Sequence, residues 1–425
     1  MKIMEVNMLK KYISAFLLAA LSLSLCACGG NATDTTTTTE SASAQTEQAA
    51  DVNIADDTAE KTDFDKYVSN TVIATGNNYI VESADNVTYR AYLPAEEYGK
   101  FEYRFYFSNN VDSTYDDGSV AHVGIAGDGY TITNAFIADG GTAVGDEITN
   151  YTAVTFDGGN EGRTVAAGET FWSDPVQFEL SDGHFIVWEW TISGTNIPCT
   201  NMSSLTDTTA DYGDGFTYCD QIPLPQLIGC DRDVKLRIAA IGDSITQGCQ
   251  TTSMAYEYWV SQIYNNLGTD YSMWNCGLGW SRFSDAATDG DWLERTSNAD
   301  VVIVAFGTND IGTGEYGKGA GNSAQEINGW LRTILDKFTE KGCKVVVFSA
   351  PPENFNKRLE PVRIEFNQVA RLTSLEYGVE FFDFASYLCD EENPSVALYG
   401  AHPNGEGGKI VADAFVEQYK KLLGK

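Results

Sequence analysis

The chain has 425 residues, 43% of them hydrophobic, and a formal net charge of −33. That length exceeds one typical domain and predicts two. The charge argues against nucleic acid and against an anionic membrane surface as partners, and otherwise reads as a solvated acidic surface that favours solubility.

Residues 1–28 read as a targeting segment. Lys10 and Lys11 form a positive region, and Phe16 to Leu25 form an apolar stretch too short to span a bilayer as a stable helix. Met8 is an alternative start, because the positive residues follow it directly. The stretch ends Leu25-Cys26-Ala27-Cys28-Gly29. This resembles a bacterial lipobox with Cys28 as the lipidated residue; the alternative is an ordinary secretory signal cut nearby. Residues 29–60 are low in complexity, with Thr35–Thr39 followed by Glu, Ser, Ala, Gln and Asp. Such a segment cannot bury enough apolar surface to offset its ordering entropy, so a disordered linker is expected. Anchor and linker together predict an extracellular protein displayed at the cell surface.

Residues 61–230 have an all-β texture. Phe101-Glu-Tyr-Arg-Phe-Tyr-Phe107 alternates, which puts Phe101, Tyr103, Phe105 and Phe107 on one face. Residues 130–133, 151–156 and 185–192 read as further strands, separated by turns such as Asp157-Gly-Gly-Asn160. Many short strands without helical periods predict a β-sandwich, jelly-roll-like. Its aromatics, Trp172, Trp188 and Trp190 among them, are expected mainly in the core; a sugar-binding face is the alternative. A packing partner that shapes the cleft of the following domain is the favoured role.

Nine cysteines occur. Two lie in the leader, and the others are Cys199, Cys219, Cys230, Cys249, Cys276, Cys343 and Cys389. An oxidising compartment permits disulfides, and the odd count leaves at least one unpaired. Cys199 with Cys219 or Cys230 would pin the loop-rich end of the sandwich; Cys276 and Cys343 read as buried thiols. The chain has only three histidines, His122, His184 and His402, and no spacing resembles a metal site. No metal and no cofactor are expected.

From 231 to 425 strands and helices alternate. Strands are expected near 237–241, 271–276, 301–306, 343–349 and 379–383. Helices are expected near 253–267, 323–340, 358–376 and 406–423. This predicts an α/β fold, a doubly wound parallel sheet whose site lies at the carboxyl ends of the strands. There the chain carries Gly242-Asp243-Ser244, then Asn275-Cys276-Gly277-Leu278-Gly279-Trp280, then Gly307-Thr308-Asn309-Asp310, and finally Ala401-His402-Pro403-Asn404. A serine on a tight turn between strand and helix is where such a fold exposes a nucleophile, and a helix N-terminus favours developing negative charge.

These blocks together resemble the SGNH (GDSL-type) hydrolase family over about 235–425. The resemblance implies a flavodoxin-like fold and a serine esterase. It assigns Ser244 as nucleophile and His402 as general base and then acid. It draws an oxyanion hole from the Ser244 N–H, a backbone N–H near Gly279 and Trp280, and the Asn309 side-chain amide. Gly242, Asp243, Gly277 and Gly307 support those blocks. Ala167-Gly-Glu-Thr-Phe-Trp-Ser-Asp-Pro-Val176 is similar to a segment preceding the catalytic domain in some secreted two-domain esterases.

Two departures stand out. Trp280 occupies the position where the family usually has glycine. Tyr399 stands three residues before His402, where the family usually has the aspartate of its triad. Either another group orients the histidine, with Asp390, Glu391 and Glu392 nearby in sequence, or a Ser–His dyad works with a backbone carbonyl in place of the acid. The implied activity is removal of acetyl groups from polysaccharides or oligosaccharides, as in acetylxylan-type carbohydrate esterases. A lipase, lysophospholipase or thioesterase of the same fold is the alternative. A catalytically inactive carbohydrate-binding surface protein is the alternative of another class.

Overall fold

Two antiparallel sheets make up the first part of the described chain, and a parallel sheet makes up the rest. The computed structural model describes residues 62–114, 123–201, 205–316 and 321–425. The leader with Cys28 and the linker over 29–60 lie outside the described residues.

The antiparallel strands are β1 Val68–Ser69, β2 Tyr79–Pro94, β3 Gly99–Ser108, β4 Tyr130–Asp139, β5 Thr149–Ala153, β6 Arg163–Val165, β7 Thr170–Trp172, β8 Val176–Leu180, β9 Phe185–Asn201, β10 Thr208–Asp211, β11 Phe216–Tyr218, β12 Gln221–Ile222 and β13 Leu227–Cys230. One sheet runs β1-β13-β3-β7, with β8 also on β3. The other runs β11-β10-β2-β9-β4-β5, with β12 on β9 and β6 on β4. Their inner faces meet through aromatics: Phe105 packs on Trp188 with centroids 4.6 Å apart, and Phe107 on Trp190 at 5.5 Å. Burying each such ring contributes about 1.5–3 kcal/mol. A one-residue slip of β3 would send Arg104 inward in their place, so this alternation fixes the register. Trp188 and Trp190 are therefore core, as alternation predicts.

The predicted strand over 151–156 differs. Pairing runs over Thr149–Ala153, and Phe156 instead bridges Asn160 across the turn at Asp157, whose φ is 51°. The strand from Phe185 continues to Asn201 because β2 pairs it as far as Cys199 and β12 pairs Thr200 and Asn201. Among the described residues no disulfide joins the seven cysteines, so the expected link from Cys199 to Cys219 or Cys230 is absent there; Cys276 and Cys343 are buried thiols.

The parallel strands are β14 Leu236–Gly242, β15 Tyr271–Gly277, β16 Val301–Ala305, β17 Lys344–Phe348 and β18 Glu380–Phe382, in the order β15-β14-β16-β17-β18. All four pairings are parallel. The order reverses at β14, which creates the switch point where open α/β sheets bind ligands. The longer helices are Trp259–Leu267, Ala324–Glu340, Glu360–Tyr377 and Gly405–Gln418. The first starts at 259 rather than 253, because Met254 and Tyr256 have φ of 58° and 49°, which no helix accommodates. The last ends at Gln418, with turns beyond it. Helices Phe283–Ala286, Asp291–Thr296, Thr308–Tyr316 and Phe384–Leu388 were too short or too polar to show a period in the sequence.

Glu60–Lys425 forms one compact unit. Arg295 grips Asp112 with two hydrogen bonds of 2.7 and 2.6 Å, both side chains buried. Such a pair adds little net stability, but losing one partner costs about 3–5 kcal/mol because the other charge is stranded. Trp274 Nε1 donates to the Gln226 carbonyl at 3.0 Å, and Phe64 packs on Tyr106, Trp172 and Trp274. The antiparallel and parallel parts are thus fastened through both polar and apolar contacts.

Candidate active site

The nucleophile turn follows directly from β14. Asp243 caps the short helix Ser244–Gln247, with Oδ1 accepting the Ile245 N–H at 3.0 Å. Ser244 is the first residue of that helix, so its N–H has no intrahelical carbonyl to bond. The helix lies close against the strand ends. A Cβ on Gly277 would overlap the backbone of Thr246 and Gln247, and one on Gly242 would overlap the Ala305 carbonyl. Asn275 completes the clamp: Nδ2 donates to the Thr246 carbonyl at 3.1 Å and Oδ1 accepts the Gly277 N–H at 3.0 Å.

Ser244 Oγ lies 2.7 Å from His402 Nε2. His402 sits on the loop before Gly405–Gln418, where Asn404 caps the helix by accepting the Gly407 N–H. Residues 158 positions apart are thereby placed at hydrogen-bonding distance. Burial lowers the imidazole to about 4, so the ring is neutral and able to accept a proton across most of the pH range.

Among the described residues no acid completes this pair. Among the described residues no hydrogen bond joins His402 Nδ1 to a carboxylate, and none joins it to a backbone carbonyl either. Asp390 is occupied locally, its Oδ1 accepting from the Glu392 and Asn393 N–H groups at 2.9 Å. Glu391 and Glu392 are exposed. Tyr399 packs against the core, and its carbonyl accepts the Asn404 N–H. The carbonyl substitute expected for the missing aspartate is therefore not in place.

The oxyanion side also differs in one respect. The Gly279 N–H, expected in the hole, donates instead to Gln247 Oε1 at 2.8 Å. Trp280, the other residue of that loop, has φ 66°, the left-handed conformation in which glycine is unstrained. This accounts for glycine being usual at that position, and it turns the Trp280 indole partly outward, 38% exposed. Asn309 is buried, and its Nδ2 donates to the Ser281 carbonyl at 2.9 Å. An amide nitrogen has a second N–H to give. Gly307, at φ 124°, makes the turn from β16 that brings Asn309 to the cleft lined by Ser244.

A cleft of about 490 Å³ joins these groups. Ser244, His402, Asn309, Gly279 and Trp280 line it, together with Thr308 and Glu353. The antiparallel part adds Asn78, Tyr79 and Asn201. Asn78 Nδ2 donates to the Gly279 carbonyl at 3.2 Å, while its Oδ1 accepts the Asn201 N–H and Gln247 Nε2 donates to the Asn201 carbonyl. The first sheets thus brace the loop holding Gly279 and Trp280. Burial raises Asp243 to about 7 and Glu353 to about 8. Among the described residues no cluster of three or more His, Cys, Asp or Glu could hold a metal ion.

The sequence reading missed Gln247, Asn78, Asn201, Thr308 and Glu353. Thr308 and Gln247 adjoin quoted motifs, and Glu353 follows the carboxyl end of β17, so fold logic could have nominated those three. Nothing local marks Asn78 or Asn201.

Residues 240–410 match the model of the GDSL-like Lipase/Acylhydrolase family. The chain is 23% identical over 238 residues to an acetylxylan esterase of Xylanibacter ruminicola, covering 49% of each protein. It spans about half the length of that curated relative. Among solved structures, an aryl esterase of M. smegmatis is 21% identical, with 44% of this chain and 99% of that one covered at a TM-score of 0.34. A variant of an acetyl-xylooligosaccharide esterase from Geobacillus Stearmophilus is 19% identical, with 44% and 94% covered at 0.35. Over residues 240–410 the parallel-sheet part of this chain is thus similar to the GDSL-like lipase/acylhydrolase family.

Proposed function

We propose that the protein is an extracellular serine esterase that removes acetyl groups from polysaccharides or oligosaccharides. The observation that carries the reading is the 2.7 Å contact between Ser244 Oγ and a neutral His402 inside a cleft also lined by Asn309. His402 takes the serine proton as Oγ attacks the ester carbonyl. The oxyanion is stabilised by the Ser244 N–H, the Trp280 N–H and the second N–H of Asn309, worth about 2.7–4 kcal/mol per donor. His402 then protonates the departing alkoxide and activates the water that frees Ser244.

The similarity to an acetylxylan esterase supports acetylated xylan as the substrate class. The all-β part, read as a jelly-roll-like accessory domain over 61–230, serves as a wall of the cleft. Cys28 is the proposed lipid anchor. Acetate release from acetylated xylan tests the reading. Wild-type protein is expected to release it and Ser244→Ala to release none. Preference for long acyl chains over acetyl would refute the substrate assignment.

A further inference from the structure

We propose that Glu353 and Thr308 form a hydroxyl-recognition subsite that reads the alcohol half of the ester. The inference rests on the esterase reading above and assigns two residues that reading leaves unused. Glu353 follows β17 and Thr308 follows β16, so both stand at the carboxyl edge of the sheet on the cleft that holds Ser244 and His402.

Two observations point to a ligand. Glu353 Oε1 and Thr308 Oγ1 are withdrawn from solvent, and neither has a hydrogen-bond partner among the described residues. The two groups are neighbours, yet no bond of normal geometry joins them. Buried polar atoms are nearly always paired, and those left open at a cleft are matched by what binds there. Their chemistry narrows the class. Burial and the nearby Asp243 hold the Glu353 carboxyl up to about 8, so at neutral pH it is mainly a neutral acid with one O–H donor and acceptor oxygens. Thr308 likewise both donates and accepts. A neutral pair of this kind matches a sugar hydroxyl, which also does both. It offers no charge to a phosphate or an ammonium, and an alkyl chain would leave both groups unpaired.

The test compares kcat/KM for an acetylated xylo-oligosaccharide with kcat/KM for p-nitrophenyl acetate, whose leaving group has no further hydroxyl. Glu353→Ala should lower the ratio of the two about tenfold, through KM for the sugar ester. Thr308→Val, nearly isosteric, should lower it in the same direction. Glu353→Gln keeps a donor and an acceptor and should hold the ratio within about threefold of wild type. Equal losses on both substrates, an unchanged ratio in Glu353→Ala, or a Gln variant as impaired as Ala would each overturn the subsite. Wild-type protein inactive on both esters would instead overturn the esterase reading, so the two failures are distinct.

Discussion

The acid limb of the pH–rate profile follows from the surroundings of His402. Its imidazole is desolvated, has no acid on Nδ1 among the described residues, and is lowered to about 4. A base acts only when neutral. At pH 5 a group titrating near 4 is about 90% neutral, whereas an ordinary histidine near 6.5 is about 3% neutral. The two cases differ about thirtyfold in competent enzyme, well beyond the scatter of a rate assay. Initial rates of p-nitrophenyl acetate hydrolysis between pH 4 and 8 should therefore stay nearly flat down to about pH 5 and fall only below it. The same shift fixes a stability trend. With the folded value below the unfolded one, this histidine's contribution is fully present above about pH 6.5 and is lost as pH falls through about 4. Tyr399→Asp supplies the carboxylate that the family usually carries three residues before its histidine. By stabilising imidazolium it should move the acid limb upward. A wild-type limb between pH 6 and 7 would contradict this, since it would mean that the ring is solvated or already paired with an acid.

Asn309→Ala should lower kcat by about 10²–10³, the usual loss for one oxyanion donor, and a kcat within threefold of wild type would remove Asn309 from the hole. Asp390→Asn, Glu391→Gln and Glu392→Gln should each keep most activity, because Asp390 is bound to its own turn and the other two face solvent; a loss approaching about 10⁴ in any one would reveal a triad acid. Gly277→Ala should reduce the yield of folded protein and the activity together, since its Cβ meets the backbone of the nucleophile helix, and a fully active, equally stable variant would contradict that packing. Cys28→Ala should release the protein from membranes or block its processing, and a variant that still carries lipid would place the anchor elsewhere.

Local pattern made much of this molecule legible. Runs such as Val301–Ala305 are uniformly apolar because a central parallel strand is buried on both faces, and β16 holds to them. Phe101 to Phe107 alternate because one face of β3 meets the other sheet. Ser244, Asn309 and His402 stood out because each adjoins a strand end or a helix cap with its own chemical signature. Other features depend on tertiary geometry. Gly279 loses its expected role to Gln247, whose side chain folds back on the loop. Asn78 and Asn201 enter the cleft only because β9 runs past Ile192 to Asn201. Glu353 carries no motif and gains its character from burial and from the nearby Asp243, which only the fold brings close.

Catalysis by this site requires a covalent acyl-enzyme on Ser244, formed with His402 as the base. Acid quenching during turnover of p-nitrophenyl acetate, followed by mass spectrometry of the digested protein, tests it most directly. One acetyl group should appear on the peptide containing Ser244 in wild-type protein, and none in Ser244→Ala, with steady turnover abolished in both Ser244→Ala and His402→Ala. Hydrolysis at the wild-type rate by Ser244→Ala, or an acetyl group on a different peptide, would rule out Ser244 as the nucleophile.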